Sequence, residues 1–151
     1  MVTKETIRKM VSATKMKSED IFTTSDGRKF TDEVTADLWD LYLSMKSKIF
    51  SDFLFTPITA SKLGQHFTQP LFGYRFKIDN LADFDNLFTI FVGLLMEHNG
   101  EPKKEEIEKE IRKSKSRNDG WFGCIYHENM KGEKKFEILY LSDLGYTISE
   151  E

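Results

Sequence analysis

The sequence predicts an α+β protein, mostly helical and built from two halves. Three observations point there. Thirteen Phe, five Tyr and two Trp in 151 residues bury enough area to offset the entropy of ordering a chain of this length. Only three Pro and nine Gly leave long stretches without helix breakers. Apolar residues recur at three- and four-residue intervals over much of the chain, and two-residue alternation is confined to short runs. The expected division is a helical region over residues 1–80, with a short hairpin near 20–31, and a module of three helices closed by a strand over residues 81–151.

In the first half, Ile7, Met10, Val11 and Ala13 give residues 3–16 a helical spacing with a narrow apolar stripe. Asp26-Gly27 lies between two short β-prone runs and predicts a hairpin, because Gly accepts positive φ at little cost. Thr31 or Asp32 caps the next helix, whose apolar face is Val34, Leu38, Leu41, Tyr42 and Met45. The phrase Phe22-Thr-Thr-Ser-Asp-Gly-Arg-Lys-Phe30, followed by this acidic helix, resembles a segment common in small bacteriophage proteins. That resemblance implies a phage or mobile-element origin, with action in the host cytoplasm.

Pro57 breaks the chain, and residues 58–67 read as a short helix capped by Thr59 with Leu63 and Phe67 buried. The order helix, Pro break, short polar helix is similar to the start of a helix-turn-helix, so a tandem pair of such units stays open beside a plain helical scaffold. Pro70 ends the short helix. Leu71, Phe72, Tyr74, Phe76 and Ile78 around Gly73 then suggest a strand or an extended linker, and Asp79-Asn80 is turn chemistry.

In the second half, residues 83–98 form a strong helix with Phe84, Leu87, Phe88, Phe91, Leu94 and Leu95 inward. Asn99-Gly100 stops it, and Pro102 opens the next element. Residues 103–115 are helical with only Ile107 and Ile111 apolar, which makes a largely solvated helix. Residues 117–130 form a third helix on the spacing of Phe122, Tyr126 and Met130. Gly120 and Gly123 leave a rival, in which residues 121–126 are a strand pairing with 136–141. Residues 134–141 alternate as a strand, and 142–148 close the module with a helical turn or strand.

This order, with Lys131-Gly132 and Phe136-Glu-Ile-Leu-Tyr140-Leu-Ser-Asp-Leu-Gly145 at its end, resembles the winged-helix DNA-binding superfamily over residues 82–148. The resemblance implies a winged helix-turn-helix C-terminal half packed with the helical and hairpin N-terminal half, and a DNA-binding regulator or nucleic-acid-binding accessory protein. Charge placement agrees with it independently. A recognition helix needs an apolar back, here Phe122, Ile125 and Tyr126, and polar groups at its N-terminal end. Lys113, Lys115, Arg117 and Asn118 precede or open the element, with Arg112 one turn earlier. Residues 109–117 hold five basic side chains and one acid, a local net charge of +4 in a chain of net charge −3. Lys131, Lys134 and Lys135 add charge where a wing meets phosphates.

Other readings compete. Lys/Glu-rich helices are commonly solvated faces laced by pairs such as Glu105–Lys109 and Glu108–Arg112. A second function class is a phage-type protein that binds and modulates a host or defence enzyme through the acidic segment 19–40. A homodimer through the aromatic middle, residues 50–76, is compatible with either. His66, His98 and His127 are too scattered for a metal site, and no phosphate-cradling glycine loop occurs. We therefore expect no enzyme activity, no metal and no cofactor. A single cysteine, Cys124, excludes an internal disulfide and fits a reducing cytoplasm. The most apolar run, residues 87–96, is too short to cross a bilayer, which predicts no membrane partner.

Overall fold

The computed structural model describes residues 2–12, 15–64 and 66–144. They fall into two units, Met1–Met45 and Lys46–Glu151.

The first unit begins with β1 (Thr3–Ser12) and β2 (Lys15–Thr23), an antiparallel pair in which Thr3 faces Thr23 and Ser12 faces Lys15. The helix expected over 3–16 is therefore corrected to two strands. Its apolar stripe is narrow, and Thr3, Thr6, Ile7 and Val11 are β-branched residues that suit a pleated ribbon. A short β3 (Lys29–Phe30) adds to β2, with Phe22 opposite Phe30. Gly27 turns this hairpin at φ 89°, and its N–H donates to Thr24 O at 3.0 Å.

Helix α1 (Glu33–Asp52) follows. The Asp32 carboxylate caps it by accepting from the Thr35 N–H at 3.2 Å. The helix ends in a Schellman-type closure, with the Phe55 N–H donating to Phe50 O at 2.9 Å. Leu54 takes the left-handed position usually given to glycine, at φ 56°, a conformation that costs a side-chain-bearing residue about 1–2 kcal/mol.

The second unit is a four-stranded antiparallel sheet in the order β4-β5-β6-β7, formed by β4 (Thr56–Pro57), β5 (Gln69–Ile78), β6 (Gly120–Glu128) and β7 (Lys134–Tyr140). Between β4 and β5 lies α2 (Ala60–Leu63), capped by Thr59 through the Lys62 N–H. Between β5 and β6 come a 3-10 turn (Leu81–Asn86), α3 (Phe88–Glu97) and α4 (Lys104–Lys115). A second 3-10 turn (Leu141–Leu144) follows β7. Of the closing segment expected over 142–148, residues 145–148, including Gly145, lie outside the described residues.

The core of this unit forms where one sheet face meets α3 and the first 3-10 turn. Phe76, Phe84, Phe91 and Phe122 are fully buried. Their rings meet edge-on or tilted, with Phe84 and Phe122 centroids 4.9 Å apart, except Phe76 and Phe122, which stack. Ile90, Leu94, Leu95 and Ile107 fill the remaining volume. The aromatic middle proposed as a dimer surface is largely spent here: Phe55 and Phe72 are buried, and Phe55 stacks on Phe50 at 4.9 Å and on Phe76 at 4.8 Å. On the opposite face, Ile58, Leu63 and Ile125 make a smaller cluster with Phe67 and Leu139. A Cβ at Gly73 would sit 2.8 Å from Leu63 Cδ2, so glycine is what lets α2 approach β5.

Three corrections follow. The class is α+β with two antiparallel sheets, not mostly helical. Residues 117–130 supply β6 rather than a third helix, so the second half lacks the helix-helix-helix-wing order of a winged helix-turn-helix. Phe122 and Tyr126 are four apart, and four is an even number, so one spacing places them on the same face of a helix or of a strand. The boundary expected at 80/81 would cut β5 from β6, which pair from Gln69–Glu128 to Ile78–Gly120.

Candidate functional site

Helix α4 fixes most of the basic residues singled out above. Ile107 and Ile111 face the core, and the helix lies along the outer edge of β7. Glu106 Oε1 accepts from the Phe136 N–H at 2.6 Å, and Glu110 Oε1 accepts from the Ile138 N–H at 2.9 Å. Glu110 is buried and also pairs with Lys113 Nζ at 2.9 Å.

The other cations meet acids remote in sequence. Lys115 pairs with Asp85 at 2.9 Å. Arg117 pairs with Asp143 at 2.5 Å and lies over the Tyr140 ring, 5.2 Å from its centroid. Arg112 and Asn118 are exposed. Lys131, Lys134 and Lys135 are exposed around the β6–β7 turn, which Asn129 Oδ1 holds by accepting from the Lys131 and Glu133 N–H groups.

Lys113 and Lys135 do come together, with Lys109, along a groove of about 540 Å³ between α4 and β7. Glu105, Glu106, Glu110 and Glu137 line the same groove. A neighbouring groove of about 510 Å³ sets Lys103, Lys134 and Lys135 against Glu101, Glu106 and Glu133. Arg112, Lys115, Arg117, Asn118 and Lys131 are not among the residues lining these two grooves. The local surplus of positive charge in the sequence is thus interleaved with carboxylates in space.

The acidic segment 19–40 is sorted differently. Asp20 accepts from Thr6 Oγ1 at 2.8 Å; this hydrogen bond, against a smaller burial effect and with help from Lys4, holds its carboxyl below the usual range. Asp26 ties the hairpin to α1, accepting from Thr24 Oγ1 at 2.5 Å and from Trp39 Nε1 at 3.1 Å. Burial pushes the Asp26 carboxyl up, but the bonds from Thr24, Trp39 and the Arg28 N–H outweigh it and leave the group below its ordinary value. Asp40 accepts from the Ser25 N–H and Oγ at 2.9 and 2.6 Å. The Arg28 guanidinium lies 4.5 Å from the Trp39 ring. These acids hold the unit together. Glu33 and Asp37 remain as exposed acids on α1.

Between them α1 shows a face that sequence reasoning assigned to the interior. Ala36, Trp39 and Tyr42 are the buried residues of the helix, whereas Val34 is 54% and Leu41 50% exposed. Val34 and Leu41 are two helical turns apart, about 10.5 Å along the axis, with Asp37 between them. The available signal was Trp39: with Ala36 and Tyr42 at three-residue intervals it defines a face on the other side of the helix from Val34 and Leu41.

Of the remaining reactive groups, His66 is exposed and the others are packed against neighbours. His98 packs on Phe72, and His127 on Phe67 and against Glu137. Cys124 is fully buried in β6, and burial pushes its thiol up to about 12. Among the described residues, no helix is long and apolar enough to cross a membrane. Neither a protein-family model, nor a curated protein, nor a solved structure matches the chain.

Proposed function

We propose that this protein is a protein-binding module whose contact surface is the outer face of α1. The observation that carries the reading is the pair Val34 and Leu41, each about half exposed, flanked by the exposed carboxylates of Glu33 and Asp37. Two apolar anchors seven residues apart on one helix face are how an amphipathic helix engages an apolar surface. Covering the exposed half of each side chain contributes about 1 kcal/mol, and the flanking acids select a partner whose apolar surface is rimmed by Lys or Arg. The segment that resembles phage proteins, residues 22–30, braces this helix through Asp26 and Trp39, which fits a role in presenting it.

Duplex-DNA binding through Lys113, Lys115 and Arg117 is the weaker reading, because each of these cations already has a carboxylate partner. One comparison tests both. Wild type and a Val34→Glu/Leu41→Arg variant are used to capture partners from lysate, and both are run in a low-salt gel shift with duplex DNA. The reading expects a protein retained by wild type and lost by the variant. A DNA shift abolished by Lys115→Glu/Arg117→Glu, with no protein lost, would replace it with the DNA reading.

A further inference from the structure

The first hairpin gathers a set of cations that the helical expectation for residues 3–16 concealed. Residues 8–18 hold Arg8, Lys9, Lys15 and Lys17 and no acid, a net charge of +4 in a chain of net charge −3. The register of β1 on β2 decides where they stand. Lys9 is the partner of Lys17, Arg8 of Ser18 and Ser12 of Lys15. Successive residues of a strand alternate between its faces, so Lys15 belongs to the same face as Lys17 and Lys9, about 7 Å along from Lys17. Like charges directly opposite each other destabilise an antiparallel pair, and an anion lying over the Lys9–Lys17 step would relieve that repulsion.

The acids stand at the other end of the ribbon. Glu5 is opposite Ile21, Glu19 opposite Ile7 and Asp20 opposite Thr6. Asp20 is engaged there by the Thr6 hydroxyl and by Lys4 at 3.4 Å. β3 adds to β2 only at Phe22 and Thr23, so among the described residues the ribbon is two strands wide from Ile21 to Lys15. Its ten paired positions on β1 span about 30 Å, with the strands about 5 Å apart.

We infer that this ribbon is a duplex-DNA-binding arm whose basic half enters the major groove. Lys9, Lys15 and Lys17 meet phosphates on one side and Arg8 on the other, and the acidic base stays outside. The B-form major groove is about 12 Å wide and admits a two-stranded ribbon, whereas the deep, narrow major groove of an RNA duplex does not. A bilayer surface is the poorer fit, because residues 8–18 contain no Trp, Tyr or Phe to anchor among headgroups. The inference goes beyond the α1 reading and does not depend on it, and it uses none of the α4 cations.

Fluorescence anisotropy of a labelled DNA duplex about two helical turns long, titrated with the full chain over a range of salt, tests it. Four phosphate contacts give log K a slope of about −3.6 against log salt, so affinity should fall about 150-fold between 50 and 200 mM. Lys9→Ala/Lys17→Ala removes two contacts and should bring the slope to about −1.8. Lys9→Glu should weaken binding about tenfold or more while leaving the fold at least as stable, since it sets an opposite charge across from Lys17; loss of binding then cannot be loss of structure. Lys115→Glu/Arg117→Glu should leave the slope at its wild-type value. No anisotropy change at 50 mM salt, equal affinity for an RNA duplex, or binding to phosphatidylserine vesicles in place of DNA overturns the inference. So does a slope that Lys9→Ala/Lys17→Ala leaves unchanged. None of these outcomes touches the α1 reading, which stands or falls on Val34→Glu/Leu41→Arg.

Discussion

Along β7, two carboxylates of α4 accept the outward N–H groups of Phe136 and Ile138, whereas at the opposite edge of the same sheet β4 spans only two residues. Past β4, the end of β5 carries Pro70 and a register irregularity between Pro70 and Phe72. Exposed strand edges invite pairing with other chains. One edge here is saturated by a helix and the other is blunted by a missing donor and a bulge. The first solution is metric. Four residues of helix rise about 6 Å, two residues of strand about 6.7 Å, so glutamates four apart on a helix meet alternate N–H groups of a strand lying alongside. Glu106 and Glu110 are seals first and surface charges second.

Changes at the sealed edge should be the most costly. Glu110→Ala leaves the Ile138 N–H unsatisfied in a buried place and strips Lys113 of its partner, so urea unfolding should show a loss of about 2–3 kcal/mol. Glu110→Gln keeps an acceptor oxygen and should recover about half of that. Glu106 is less buried, and Glu106→Ala should cost about 1–2 kcal/mol; equal losses at the two positions would break the picture of a graded seal. At the blunted edge, Leu54→Gly removes the left-handed strain just before β4 and should raise stability by about 1 kcal/mol. Pro70→Val should change stability by less than about 1 kcal/mol while increasing light scattering on storage, since it restores a donor to that edge. Scattering no greater than wild type would show that the bulge suffices alone.

The smallest effect lies in the first unit. Asp20 and Asp26 both have carboxyls held below their ordinary value, so they contribute stability above about pH 3.9, and that contribution is lost as pH falls through their lower folded values. Acid titration followed by Trp39 fluorescence in a Trp121→Phe background should report the loss, and Asp26→Asn should shrink it.

What the sequence made legible is local. The Asp26-Gly27 turn, the helix caps at Asp32 and Thr59 and the strand β7 each rest on a handful of adjacent residues, and each is present. The failures are non-local. Nothing within residues 3–12 announces their partner strand, and β6, flanked by strands on both sides, shows a near-continuous apolar run in place of clean alternation. The basic stretch 109–117 was counted correctly, but its neutralising acids Asp85 and Asp143 lie 30 and 26 positions away. On α1 the apolar residues occupy more than one face, and periodicity alone does not say which of them packs inward.

Cys124 turns the second sheet into its own clock. The thiol is the chain's one cysteine, sits mid-strand between β5 and β7, and with its ionisation pushed to about 12 holds almost no thiolate while folded. An alkylating reagent at neutral pH therefore waits for that strand to come apart, and its labelling rate reads how often the four-stranded sheet opens. With Trp121 replaced by Phe, Trp39, bound to Asp26 in the first unit, gives an optical signal for the other. Followed in one sample, the two would show whether the units breathe together or each on its own schedule.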